Sequence, residues 1–246
     1  MDHPLPESKL AILGGGRFGY LLARLLAPKS QLVHLWLPDH RTIQPSPDVD
    51  AAEESDFLPS NVNLITGLGT FTEGSWVFIV ALQTKDFESF MDRLLNRIDR
   101  DKKHVFINFT KGFLSVALRR RYPGSLTFSD YIVALAESNG FEKLEVAVVS
   151  GPGIHQELSR GDLSFFVAAS ATSSSVELVQ ALFESRQIKV SRSRDMRGVE
   201  VAGILKYPLA IACGIAAGLP GVGDNFYGEL VAAGFREMRK LGLILG

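Results

Sequence analysis

The chain has 246 residues, 46% of them apolar, with 26 Lys and Arg against 27 Asp and Glu and a formal net charge of −1. That length and composition allow one large globular domain or two small ones with a buried core, and the charge balance excludes a protein built to coat nucleic acid. A single cysteine, Cys213, excludes an internal disulfide framework and a Cys-rich metal site.

The segment from Met1 to Lys9 is polar and carries two prolines, so it does not read as a signal peptide. Leu10–Leu13 predicts a first strand and Tyr20–Ala27 a buried helix. Leu32–Trp36 reads as a second strand. The segment from Arg41 to Ser60, rich in Pro, Ser, Asp and Glu, reads as a surface loop, Asn63–Thr66 as a weak third strand and Trp76–Leu82 as a strong fourth. Phe87, Phe90, Met91, Leu94, Leu95 and Ile98 recur at helical spacing. Val105–Phe109 and Val146–Val149 are further strands, Leu163–Ala169 follows, and a helix spans Val176 to Glu184 with a serine cluster before it as N-cap. Strands alternating with helices predict βαβ units and a parallel sheet. The short basic run Arg119-Arg120-Arg121 reads as a solvated helix face.

The pattern changes near Arg192. From Gly198 onward no strand is legible. Val199–Leu219 is a long apolar helical segment interrupted by Pro208, and Asp224–Leu241 is a second helix with Asp224 or Asn225 as N-cap. The expected organisation is therefore an α/β domain over residues 1–191 and a helical piece over 192–246. The longest apolar stretch, Leu209 to Leu219, is too short to span a bilayer, so a soluble cytoplasmic protein without membrane contact is expected.

Gly14-Gly15-Gly16-Arg17-Phe18-Gly19 fits G-x-G-x-x-G, follows a strand and opens a helix, the context that gives this pattern meaning. Gly14 permits a tight turn, Gly16 lets the backbone approach a pyrophosphate, and Gly19 allows close helix–strand packing. The helix N-terminus then offers free N–H groups and a positive dipole end. The alternative is a glycine-rich turn with no ligand. An acid is expected about 20 residues further on, and Asp39 stands there, as a partner of the NAD ribose hydroxyls or as a solvated turn residue after Pro38. Arg41 is close enough to meet a 2′-phosphate, which leaves NADP open.

Beyond this loop the chain carries an ordered set of blocks: Leu35-Trp36, Phe57-Leu58-Pro59, Thr110-Lys111-Gly112, Ser150-Gly151-Pro152 with Glu157, Gly198-Val199-Glu200, Leu205-Lys206, and Gly223-Asp224-Asn225 with Gly234 and Glu237-Met238. With this set the chain resembles the soluble bacterial NAD(P)-dependent glycerol-3-phosphate dehydrogenases. The resemblance implies a Rossmann-type dinucleotide-binding domain followed by an all-helical substrate domain. It also implies reduction of dihydroxyacetone phosphate, a small phosphorylated three-carbon substrate, to glycerol 3-phosphate for glycerolipid synthesis. Lys206 matches the family's catalytic lysine, and an ammonium suits the task of stabilising a developing alkoxide and giving up a proton. Its neighbours Ile204, Leu205 and Leu209 can desolvate it. Read from the residues alone, it is equally a helix lysine snorkelling out of an apolar stretch. Lys111 matches the second family lysine, which touches substrate and cofactor. Gly151 and Gly153 match the loop that meets the substrate, with a plain turn around Pro152 as the alternative. Arg17 and Phe18 fall in the cofactor loop.

Several positions depart from the family. Tyr207-Pro208 follows the lysine where Asn is usual. His155 stands where a small residue is normal, against the cofactor, where it crowds the dinucleotide or titrates. Pro38 replaces a polar or basic residue that can meet an NADP phosphate, which tilts the cofactor preference slightly to NAD. Ala232-Ala233 replaces the Arg usual before Gly234. Most of the family's helical domain, with the lysine's Asp partner and an Arg-Asn pair for substrate phosphate, has no counterpart after Gly242. The expectation is an incomplete substrate site within one copy, impaired turnover, and a homo-oligomer formed through an uncovered helical face. Two rival readings are a non-enzymatic dinucleotide-binding protein or truncated gene product without turnover, and a dehydrogenase of similar layout acting on a hydroxy acid or ketopantoate.

Overall fold

Runs of consecutive apolar residues, rather than alternating ones, mark strands covered on both faces, and such runs form the centre of this fold. A computed structural model describes residues 8–38, 58–153 and 155–245, without the side chain of His155. In chain order the elements are β1 (Lys9–Leu13), α1 (Arg17–Leu26), β2 (Val33–Trp36), β3 (Val62–Ile65), β4 (Trp76–Val80), α2 (Thr84–Leu95), β5 (His104–Asn108), α3 (Val116–Arg121) and α4 (Phe128–Ser138). They continue with β6 (Leu144–Ser150), α5 (His155–Arg160), β7 (Ser164–Ser170), α6 (Ser173–Phe183), β8 (Ile188–Ser193), α7 (Met196–Ala217) and α8 (Asp224–Leu245).

The strands form one sheet in the order β3-β2-β1-β4-β5-β6-β7-β8. All neighbours are parallel except β6 and β7, which pair antiparallel with Ser150 opposite Val167. Alternate residues of each strand serve opposite cores. Ala11, Leu13, Phe78, Val80 and Phe106 pack under α2 and α4, where Phe87, Phe90, Tyr131 and Ile132 meet them. Leu10, Ile12, Val77, Ile79, Val105 and Ile107 pack under α1 and α6. The helical period of Phe87 to Leu95 buries one face of α2. This is a doubly wound α/β fold of the Rossmann type, followed by two long helices.

Several local expectations are corrected. The serine cluster does not cap α6: the N-cap is Thr172, with no side-chain capping bond, and Ser173 to Ser175 lie in the first turn. There Ser174 and Ser175 donate to the Glu145 carboxylate on β6, as does the Thr172 hydroxyl. Asp224 is the first residue of α8, and Gly223 supplies the carbonyl that accepts the first helical bonds. Pro208 does not interrupt α7, which runs unbroken through it for 22 residues. Three elements were not legible as such, the edge strand β8 and the helices α4 and α5, and of α3 only the last turn was. The Arg119 to Arg121 run does fall in the last turn of a helix, α3.

By length and apolar composition α7 is the one described helix able to cross a membrane, which the Leu209–Leu219 stretch alone did not suggest. Its first half is packed on the sheet instead, with Glu200, Val201 and Gly203 buried. Helix α8 leans on α7, where the Leu209 side chain fills the space beside Gly234, and buries no residue of its own.

Candidate active site

The phosphate-binding character of the glycine loop follows from its backbone. Gly14 has φ +135°, and a Cβ there would come within 2.3 Å of the Ala81 carbonyl oxygen, so only glycine lets β1 turn so close to the end of β4. A Cβ on Gly19 would collide with the Gly14 carbonyl, so the first turn of α1 folds back onto the loop. Gly16 differs: among the described residues nothing lies within 4 Å of where a Cβ would stand. It is the N-cap of α1 and makes no side-chain capping bond. The first N–H groups of a helix lack intrahelical acceptors, and here they open onto unfilled space beside Gly16. A dinucleotide pyrophosphate fits that cradle in shape and charge. Asp39 and Arg41 lie outside the described residues, as does the side chain of His155, whose backbone begins α5.

Beside this loop, the C-terminal ends of β4, β5 and β6 enclose a cavity of about 560 Å³. Open α/β sheets bind ligands at this edge, where the strand order reverses. Phe18 of α1 lines the cavity on one side, and Thr110, Lys111, Ser150, Gly151, Gly153 and Tyr207 line it on another. None of its described lining residues is acidic. Lys111 stands three residues past the end of β5. Burial, and then the positive charge of Lys206, lower its pKa to about 8. The loop that carries it is anchored: the Thr84 hydroxyl donates to the Lys111 carbonyl at 3.2 Å, and the Thr110 hydroxyl donates to the Leu82 carbonyl at 3.1 Å.

Lys206 comes from α7. Gly203, one turn earlier, rests against Ser150 so tightly that a Cβ would lie 2.2 Å from Ser150 Oγ. This close approach brings the Lys206 ammonium to the Gly151 carbonyl, to which it donates at 2.9 Å. Burial lowers the Lys206 pKa, the direction expected from its apolar neighbours. The Tyr207 ring stands under both cations, with Lys111 Nζ 5.7 Å and Lys206 Nζ 5.8 Å from its centroid. The aromatic face offsets part of the repulsion between them. Gly151 and Gly153 are also demanded by packing, since a Cβ on either would strike Phe165 or Phe166 of β7. The site thus unites Lys111, Lys206, Gly151 and Gly153 beside Phe18.

One polar residue of the site escaped attention. Glu200 is 1% exposed and hydrogen-bonded to Asn108, 92 positions away, at 3.1 Å. It figures above only within a block of resemblance. The signal available was a lone carboxylate one turn into an apolar helix.

The fold and the glycine loop define a dinucleotide-binding protein of the Rossmann class. A sequence profile described as NAD-dependent glycerol-3-phosphate dehydrogenase N-terminus matches residues 9–176, and one described as the C-terminus of the same enzyme matches residues 195–246. The chain belongs to the NAD-dependent glycerol-3-phosphate dehydrogenase family. It is 29% identical over 245 residues to glycerol-3-phosphate dehydrogenase [NAD(P)+] of Clostridium perfringens and 30% identical over 248 residues to that of Chlorobium phaeobacteroides. Each alignment covers 97% of this chain and 69% of the relative. Among solved structures, glycerol-3-phosphate dehydrogenase from Coxiella burnetii superposes with a TM-score of 0.72 at 27% identity, over 97% of this chain and 69% of the other. A Dunaliella salina structure gives 0.76 at 20% identity, over 97% and 42%, and shares the fold.

Proposed function

We propose that the chain is a cytoplasmic enzyme that reduces dihydroxyacetone phosphate to sn-glycerol 3-phosphate with NADH or NADPH, in support of glycerolipid synthesis. The observation that carries this reading is the convergence of Lys111, on the cavity wall, and Lys206, bonded to the wall residue Gly151, about the Tyr207 ring, with Phe18 of the glycine-loop helix on the same wall. Two ammoniums and no acid match a dianionic phosphate ester. A bound reduced nicotinamide would supply the hydride. Lys206 Nζ would leave the Gly151 carbonyl to hydrogen-bond the substrate carbonyl oxygen, oppose the negative charge that grows there and hand over its proton. Lys111, nearer the sheet, would orient the phosphorylated end. Leu82, Phe109 and Phe166 on the cavity wall would exclude water, which strengthens both electrostatic contacts.

A weak preference for NAD is part of the proposal, since Pro38 offers no side-chain donor to a 2′-phosphate. A second reading, dinucleotide binding without turnover, is favoured by Tyr207, which fills part of the substrate cavity where the family usually carries Asn. An absorbance assay of NADH and NADPH oxidation with dihydroxyacetone phosphate decides between them. Turnover lost in Lys206→Ala supports the enzyme. Cofactor binding by calorimetry with no turnover supports the second reading, and no binding of either cofactor overturns both.

A further inference from the structure

Six residues before Lys206, α7 carries a carboxylate in the protein interior. Glu200 Oε1 accepts a hydrogen bond from Asn108 Nδ2 at 3.1 Å, and Oε2 accepts one from the backbone N–H of Ser129 at 3.4 Å. The hydroxyls of Thr127 and Ser129 also face it. Asn108 is the last residue of β5 and is itself fully buried. Its Oδ1 accepts from the Thr110 N–H at 2.9 Å, while its Nδ2 reaches the Thr110 carbonyl at 3.2 Å and Ser129 Oγ at 3.1 Å. Lys111 is the next residue. A chain of short contacts therefore runs from α7 through Glu200 and Asn108 to the loop bearing Lys111.

Filling space does not explain this carboxylate. A buried ionisable group is costly, and an apolar side chain of similar size would fill the same volume. The two Glu200 oxygens serve the Asn108 amide and the N-terminus of α4 separately, one each. The neighbouring charges are already committed to one another: Arg197, on the first turn of α7, forms a bidentate pair with Asp130 on α4, with Nε 3.1 Å from Oδ2 and Nη2 3.1 Å from Oδ1. Burial pushes the Glu200 pKa up to about 7, although its hydroxyl and amide partners act in the opposite direction.

The geometry points to Glu200 as a positioning residue that ties the helix carrying Lys206 to the loop carrying Lys111, and so fixes the spacing of the two ammoniums. The inference rests on the reading of those lysines as the substrate pair, but its test needs neither substrate nor turnover. The lysines of the intact chain are labelled by reductive methylation with carbon-13 and titrated by NMR, with Lys111→Arg used to assign the Lys111 signal. In the parent chain Lys111 titrates near 8. In Glu200→Gln the loop is released, Lys111 moves away from Lys206 and from its buried setting, and its midpoint rises by about one unit or more. Loss of the carboxylate charge alone would move the midpoint down, so the sign separates the two effects.

Asn108→Leu breaks the same chain while keeping Glu200 and gives the same rise; it carries the test if Glu200→Gln does not fold. The double variant shows no additional rise, because both changes cut one connection. A Lys111 midpoint that stays or falls in the variants, with only a lower Tm, overturns the proposal and leaves Glu200 a purely structural group. A parent-chain midpoint at the ordinary lysine value overturns it as well. A chain that reduces no substrate can still pass this test, so failure of the proposed reaction and failure of this inference remain distinct.

Discussion

Gly203 on α7 and Ser150 at the end of β6 meet with no room for a methyl group between them: a Cβ on Gly203 would lie 2.2 Å from Ser150 Oγ and 3.3 Å from its Cβ. This contact sets how closely α7 rests on the strand ends. The next residue after Ser150, Gly151, accepts the hydrogen bond of Lys206, so packing at one pair fixes polar geometry at the next.

Gly203→Ala tests this contact. Replacing a helix glycine normally stabilises by roughly 0.5–1 kcal/mol, whereas overpacking a filled site costs about 1–3 kcal/mol. The expected result is net destabilisation in urea unfolding. Gly203→Ala combined with Ser150→Ala recovers the loss, since the nearest clashing atom is gone. A single variant more stable than the parent would show that α7 is not held at this distance.

Gly14 and Gly16 should respond in opposite ways. Gly14→Ala forces a side chain into a positive-φ turn against the Ala81 carbonyl and lowers thermal stability. The Cβ of Gly16→Leu meets no atom of the described residues within 4 Å, so this change should cost little Tm, as surface changes do, yet abolish NADH and NADPH binding by filling the pyrophosphate space. Calorimetry and a melting curve on the same samples give both readouts.

Glu200 makes stability depend on pH with a definite sign. Its pKa is raised from the ordinary 4.5 to about 7, so between those values the folded chain holds a proton that the unfolded chain has released. Its contribution to stability is complete below about pH 4.5 and is lost as pH rises through about 7. The groups around it are Asp130 on α4, paired with Arg197 on α7, and the neutral Thr127, Ser129 and Asn108. Urea midpoints measured across this range should fall with rising pH in the parent and show a flatter profile in Glu200→Gln.

Lys111 has the opposite linkage. Its pKa is lowered from 10.5 to about 8, so stability rises with pH from about 8 toward 10.5, where the unfolded chain binds the extra proton. Lys206→Met removes the like charge and should raise the Lys111 midpoint. If Lys111 must be charged to hold a phosphate, affinity for inorganic phosphate falls above about pH 8 in the parent. In Lys206→Met that fall should shift to higher pH, whatever the overall loss of affinity.

The outer face of α7 and α8 exposes Ile211 at 64%, Ile215 at 62% and Phe235 at 61%. Apolar clusters of this kind promote association. Ile211→Glu with Phe235→Glu should lower the sedimentation coefficient at high concentration and leave the melting curve of the sheet domain unchanged. An equally monodisperse parent chain would refute this.

What the sequence disclosed depended on how local the determinant was. The glycine loop was legible because strand, turn and helix are contiguous, and Gly14 and Gly19 answer neighbours in the adjoining strand end and in the loop itself. α4 carries a signal that was passed over: Thr127 and Asp130 form a capping box, and that spacing alone marks a helix start. β8 was harder. It is an edge strand whose residues alternate, Ile188 and Val190 buried and Lys189 and Ser191 exposed, and two apolar residues among polar ones leave no run to mark it. The pairing of Lys111 with Lys206 could be expected only through the family resemblance, because 95 positions separate them and neither carries a local mark of the other. Glu200 shows the same limit: its partners come from β5 and the start of α4, and nothing beside it in the chain names them.

The reversal of direction at β7 has a consequence for how this protein can change. Because β7 and β8 run back along the sheet, α7 starts level with the middle of β6 and climbs in the same direction as that strand. Six residues of helix from Glu200 to Lys206 rise about 9 Å, and three residues of strand from Val148 to Gly151 advance about 10 Å. Since Val148 pairs with Asn108, the helix works as a ruler laid along the strand, with one mark at Asn108 and the other at Gly151. Substitutions along its solvent side leave both marks in place. Adding or removing a single residue between them would swing the lysine about 100° around the helix axis, so this stretch can drift in composition but not in length.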